Sequence, residues 1–309
     1  MKKNLFLLGL LVCSMATMAQ TEKADKPESW YFKLGGSYFN QTASTEFPTV
    51  GGKDALRKTY VGGQLVSEES VTGSFGQGFR TGITAGYRFS VRLGVELGIN
   101  YYTSHDKTMA ETISDVPYIP ASGTYNFKSV GQITAFDLAP AIVMFLGESH
   151  GFEPYTKVGV LVPVHGDLEI TTDAVAPVGV NPSTGAPVFG QVHSVDKVKP
   201  NPTLGFTAGL GTSYKLGKHI SAFAELEYRN FTVHGKTKET TEFTVNGNDA
   251  LATRTTAQIH TNYRDGLNVN SNNATTNPNG VDATKPMDEL SSYVGISGLG
   301  LTLGLKYSL

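Results

Sequence analysis

The chain has 309 residues, 35 of them Gly, with 39% hydrophobic residues, only 17% charged residues and a formal charge of −2. A charged fraction this low argues against a soluble helical enzyme, and the apolar content argues against disorder. The near-neutral balance carries no signature of a nucleic-acid binder.

In chain order the first element is a leader. Lys2 and Lys3 form a charged start, Leu5 to Val12 an apolar run, and Thr17-Met18-Ala19 a small-residue cleavage site before Gln20. This pattern predicts a secretory signal peptide over residues 1–19, with an apolar run too short to span a bilayer as a helix. Cys13, the only cysteine, lies in that run behind Val12, which is not the small residue that lipidation requires. Removing the leader leaves 23 basic against 27 acidic residues, no disulfide and no cysteine-based metal site. Residues 20–29 then form a short N-terminal segment, and residues 30–309 a single domain.

That domain alternates. From Phe79 the odd positions Phe79, Thr81, Ile83, Ala85, Tyr87 and Phe89 oppose Arg80, Gly82, Thr84, Gly86 and Arg88. The next run sets Val91, Leu93, Val95, Leu97 and Ile99 against Arg92, Gly94, Glu96, Gly98 and Asn100. A period of two sustained for about a dozen residues is twice the usual strand length of about five or six. It matches the roughly 9–11 residues that a tilted strand needs to cross a membrane. The same template predicts eight strands: residues 30–39, 78–90, 91–104, 132–146, 153–167, 203–216, 220–233 and 292–309. Short links near residue 90, over 147–152 and over 217–219 alternate with long polar ones over 40–77, 105–131, 168–202 and 234–291. Such asymmetry predicts an all-β, eight-stranded antiparallel transmembrane barrel with short periplasmic turns and long extracellular loops. Hydrocarbon cannot satisfy a sheet edge, which is the physical reason for closure.

The outward faces agree. Leu204, Leu210, Leu299, Leu301, Leu303 and Leu305 would meet lipid, and outward aromatics fall at both strand ends. Trp30, Phe32, Tyr87, Phe89, Tyr214 and Tyr307 gather on the turn side; Tyr38, Phe79, Tyr101, Phe136, Phe206, Tyr228 and Tyr293 gather on the loop side. The inward set holds Lys33, Arg80, Arg88, Arg92, Lys157, Lys215, Arg229 and Lys306 with Glu96, Asp137, Glu225 and Glu227. A barrel of eight strands is only wide enough to be filled by side chains, so these charges are expected to pair with one another. Inward glycines such as Gly82, Gly86, Gly94, Gly209, Gly300 and Gly304 would leave room for the basic arms. Pro140 and Pro163 each predict a bulge or irregularity, because proline removes a ladder donor.

Among the links, residues 237–245 and 250–261 flank Asn246-Gly247-Asn248-Asp249 and predict a hairpin. Residues 168–175 and 188–198 predict another, so the sheet would stand above the membrane. The segment 268–286 is dominated by Asn, Thr, Gly and Asp and is expected to be mobile.

The layout resembles the small outer-membrane barrel superfamily of the OmpA transmembrane domain, OmpX and OmpW over the whole mature chain. The last strand, Thr302-Leu303-Gly304-Leu305-Lys306-Tyr307-Ser308-Leu309, is similar to the β-signal of barrel substrates, although the family often ends in Phe. That resemblance implies that Thr302, Gly304, Tyr307 and Leu309 engage the barrel-assembly machinery. It also implies a Gram-negative outer membrane, with outer-membrane lipid and lipopolysaccharide as partners. The Gln at the predicted mature terminus and the Asn/Thr-rich loops resemble Bacteroidota proteins. No peptidoglycan-binding domain follows the barrel, so a wall-anchoring role is not expected.

No catalytic, cofactor or metal residues are predicted. A lipid A deacylase would need Ser, His and an acid on the outward surface near the outer leaflet. His219 and Ser221 have a suitable spacing but sit at a periplasmic turn, and His165 with Asp167 lacks a serine. The sequence therefore predicts a non-enzymatic barrel whose loops contact an extracellular ligand or host molecule. A narrow channel for small or hydrophobic solutes is the alternative, and a lipid A-modifying enzyme the remote one.

Overall fold

A computed structural model describes residues 30–115, 126–201 and 203–309. The predicted leader and the segment 20–29 lie outside the described residues. Eight strands form the wall: β1 (Trp30–Gln41), β2 (Gly78–Arg88), β3 (Leu93–Ser104), β4 (Phe127–Phe145), β5 (Phe152–Val180), β6 (Gly205–Lys215), β7 (Ile220–Asn230) and β8 (Gly298–Ser308). Each pairs antiparallel with the next, and β8 closes on β1 from Tyr31↔Ser308 to Gln41↔Gly298. The result is a closed eight-stranded antiparallel barrel.

Alternation sets the two faces. In β3, Leu93, Val95, Leu97 and Ile99 are exposed while Glu96, Asn100 and Tyr102 are buried, so the usual arrangement of a water-soluble protein is inverted. The exposed leucines of β8 and the valines of β5 continue that apolar belt. Aromatic pairs border it at both ends. Trp30 stacks on Tyr87 at 5.1 Å and Phe152 on Tyr214 at 4.6 Å on the turn side. Tyr38 meets Phe79 at 5.0 Å and Tyr101 meets Phe136 at 4.9 Å on the loop side.

Strand ends differ from expectation in instructive ways. The turn between β2 and β3 takes residues 89–92 instead of a bare reversal, because the Ser90 hydroxyl accepts from the Leu93 amide at 2.9 Å. Arg92 is thereby taken out of the strand and placed in the turn. At Pro163 the expected bulge is present, as a register shift against β4 between Pro163 and His165. Opposite Pro140 the ladder with β5 lapses between Gly159↔Ala141 and Val162↔Leu138, without a shift in register.

Beyond the loop-side belt the wall continues as a second sheet. β5 runs on to Val180, well past Asp167 where the sequence reading ended it, and turns back as Pro187–Asn201. That strand pairs with Thr232–Val245, which pairs with His260–Arg264, and that in turn runs parallel to Met287–Leu290. On the other flank β4 pairs with Lys107–Ser114, which runs parallel to Leu56–Val61, and Gln64–Ser70 completes the row.

Two loop expectations are corrected. Residues 250–261 are not one strand: Leu251–Thr253 is a 3-10 turn and Thr256–Ile259 a short helix, begun where Gln258 Oε1 accepts from the Thr255 amide at 3.0 Å. The segment 268–286 is ordered. Asn272 is buried, donates to the carbonyls of Asp282, Lys285 and Pro286, and accepts from the Asp282 amide at 2.7 Å. Asparagine and aspartate side chains replace an apolar core here by binding the backbone directly.

Candidate functional site

The barrel interior has two tiers. In the lower tier, within the apolar belt, the Arg80 guanidinium grips Glu227 through two contacts of 2.5 and 2.8 Å and also donates to the hydroxyls of Ser37 and Thr302 at 3.1 Å each. Lys157 bridges Glu225 at 2.5 Å and Glu227 at 3.2 Å. The Tyr155 hydroxyl donates to Glu225 at 3.0 Å. Lys33 meets Glu96 at 2.5 Å, and Tyr31 donates to the same carboxylate at 3.0 Å. Arg229 pairs with Asp137, which also accepts from Asn100 at 2.8 Å. Toward the turn side Glu153 receives Arg88 at 2.5 Å and Lys306 at 3.2 Å. A buried charge is costly unless it is paired, and here each carboxylate has at least two polar partners, one of them a cation.

The structure thus brings together Lys33, Arg80, Arg88, Glu96, Asp137, Lys157, Glu225, Glu227, Arg229 and Lys306. Two residues from the predicted interior set lie elsewhere. Lys215 sits at the rim with its side chain 54% exposed and pairs with Glu148 at 2.6 Å; as the last residue of β6 it has no facing wall. Arg92 lies half-buried in the β2–β3 turn, where its carbonyl accepts from the Phe145 amide. Glu153 was missed, although it shares the inward parity of Tyr155 and Lys157. The glycines clear space for rings more than for cations. A Cβ at Gly86 would lie 2.2 Å from Tyr31, and one at Gly300 2.6 Å from Phe39. The cavity left in this tier is about 40 Å³, room for only a few waters.

The upper tier is apolar. Phe47, Val50 and Phe75, all from the link between β1 and β2, pack with Tyr102, Met109, Ile133, Leu161, Leu168, Ile170, Val198 and Phe231. The strap Ser74–Gly76 is pinned: Tyr102 donates to the Phe75 carbonyl at 2.6 Å, and the Ser74 hydroxyl accepts from the Ser297 amide at 3.1 Å. Gly76 is required there, since a Cβ would sit 1.8 Å from the Ser297 carbonyl oxygen. Nothing in the sequence pattern marked this plug, because its three residues are isolated in a polar link.

The residues weighed for catalysis are dispersed. His219 Nδ1 donates to the Ser308 carbonyl at 2.8 Å, while Ser221 is buried in the lumen wall. His165 and Asp167 project outward from β5 beside the bulge. Among the described residues no group of three or more His, Cys, Asp or Glu is placed to hold a metal. Of the residues expected to form an assembly signal, Thr302, Gly304 and Tyr307 lie in β8 at the seam with β1, Ser37 bonding Thr302 at 2.7 Å, and Leu309 follows the strand.

A closed sheet with an apolar exterior, two aromatic belts and an ion-paired interior defines a membrane-spanning β-barrel. The chain belongs to the family described as outer membrane protein beta-barrel domain, whose model matches residues 5–264. Among solved structures, the outer membrane protein OprG from Pseudomonas aeruginosa is similar over 93% of this chain and 98% of its own, at 12% identity and a TM-score of 0.42. A comparison with curated proteins finds no match.

Proposed function

We propose that this protein is a non-catalytic outer-membrane anchor whose lumen conducts nothing and whose extracellular sheet contacts molecules outside the cell. The observation that carries this reading is the double filling of the barrel. An ion-paired tier with a cavity of about 40 Å³ lies beneath a plug built around Phe75. A solute crossing it would have to break buried charge pairs and then displace an apolar core. The engagement of His219 Nδ1 with the Ser308 carbonyl and the burial of Ser221 in the lumen wall argue against acyl-transfer chemistry at this pair. In the same reading residues 1–19 are a cleaved leader, and Thr302, Gly304, Tyr307 and Leu309 present the last strand to the assembly machinery.

Planar-bilayer recording tests it. Silence is expected from the purified barrel; steady conductance reshaped by Arg88→Ala would establish the narrow channel instead. N-terminal sequencing of the protein from outer membranes should begin at Gln20.

A further inference from the structure

The sheet that continues the wall beyond the loop-side belt has two edges, and they differ. At one, the strand Met287–Leu290 is covered by its own loop: the Asp288 amide donates to the Asn272 carbonyl at 2.8 Å, and the Asn273 side chain donates to the Asp288 carbonyl at 2.9 Å. At the other, Gln64–Ser70 pairs with Leu56–Val61 on one side, and among the described residues no strand lies along its other side. All of its residues but Ser67 are exposed. The Val71 amide donates to the Ala55 carbonyl at 2.7 Å, so antiparallel alternation aims the main-chain groups of Glu69 and Ser67 at the partner strand and those of Ser70 and Glu68 off the sheet. Val66 is the extra residue of a bulge, since Ser67 faces Thr59 and Leu65 faces Tyr60. Glu69 shares a face with Arg57, whose guanidinium turns instead to Glu111 at 2.8 Å, and among the described residues Glu69 has no ion pair. Glu68, on the opposite face, meets Lys58 at 3.1 Å and its side chain remains 45% exposed.

We infer that this open edge is a docking strand for an extended segment of an external protein that carries two successive basic residues beside apolar ones. The inference rests on the reading of the extracellular sheet as the contact surface and specifies what that surface takes. An unpaired edge is a template for one further strand, because its free N–H and C=O groups are matched by another main chain running alongside. Successive residues of the added strand project to opposite faces, so a basic pair sets one cation beside Glu69 and the next beside Glu68. Leu65 and Val66, both exposed, then lie alongside the residues that follow and favour apolar ones. An acidic segment would meet like charge on both faces, so the two glutamates select among strands.

The test uses the full chain in phosphatidylcholine vesicles and, as probe, a short fluorescent peptide with two successive lysines between valines and threonines. Anisotropy should show saturable binding, and hydrogen exchange should slow in residues 64–70. Ser70→Pro removes a free donor without touching the ladder to Leu56–Val61, a placement that edge strands tolerate. It should weaken binding by about tenfold or more, with the heat-modifiable gel shift of the folded barrel unchanged, whereas Ser70→Ala keeps the donor and should bind as the parent does. Glutamates in place of the peptide's lysines should weaken binding similarly, and the double variant Glu68→Lys with Glu69→Lys should reverse that preference. Absence of binding, binding indifferent to Ser70→Pro, or equal binding of the acidic peptide would each overturn the docking strand. None of these results bears on whether the lumen conducts, which planar-bilayer recording decides separately.

Discussion

Glu227→Gln isolates one buried charge. Glu227 is 1% exposed and holds Arg80 at 2.5 and 2.8 Å, Lys157 at 3.2 Å and the Thr207 hydroxyl at 3.2 Å. Removing one partner of a buried pair costs about 3–5 kcal/mol, because the other charge is left without compensation. Lys157 keeps Glu225 at 2.5 Å, and Arg80 keeps only two hydroxyls, so the lower end of that range, about 3 kcal/mol, is expected. Replacing both members, Arg80→Met with Glu227→Leu, removes the desolvation cost with the attraction and should return to within about 1 kcal/mol of the parent. Urea unfolding in phospholipid vesicles measures this, with the fluorescence of Trp30, the only tryptophan, reporting from the turn-side belt. A single variant within about 0.5 kcal/mol of the parent, or a double variant as unstable as the single, would refute the account of the lumen as a coupled ion-pair core.

Other outcomes follow from the plug and the loops. Phe75→Ala should cost about 3–5 kcal/mol and raise hydrogen exchange in the strap Ser74–Gly76, read by mass spectrometry. Gly76→Ala should expel the same strap, with increased protease sensitivity of residues 42–77 while the gel shift of the folded barrel persists. In the loop 268–288, partial burial opposes ionisation of Asp288 but is outweighed by the Asn272 amide and Arg264, which hold its carboxyl below the usual range. Asp282 is likewise held low, by Lys285 and Thr284. Depressed carboxyls contribute stability above their unfolded value of about 3.9 and lose it as pH falls through the folded values. Exchange protection of the Asn272 and Asp282 amides should therefore hold at neutral pH and fall in strong acid, and a pH-independent profile would exclude that role for the carboxylates.

Legibility tracked the solvent. Within the belt, lipid on one side and paired charge on the other gave each strand a clean period of two, so β1 to β8 and most of their inward charges could be read directly. Past Asp167 the outward positions Glu169, Thr171 and Asp173 turn polar, and the lipid signature ends although the strand does not. The helix at Thr256–Ile259 was written in the sequence as Thr255 followed by Gln258, a capping box whose signal was overlooked beside a strong turn. Order in 268–288 was hidden because its framework is made of the residue types that usually mark disorder. Phe47, Val50 and Phe75 could not be assigned to a core from one sequence, since their partners lie on distant strands.

β5 runs from Phe152 at the turn side to Val180 at the tip of the loop-side sheet, with register shifts at Pro163 and again at Pro177. At about 3.3 Å per residue that is on the order of 95 Å of continuous strand. A load applied at the tip is thus carried as shear along many ladder bonds in parallel and passes directly into the bilayer.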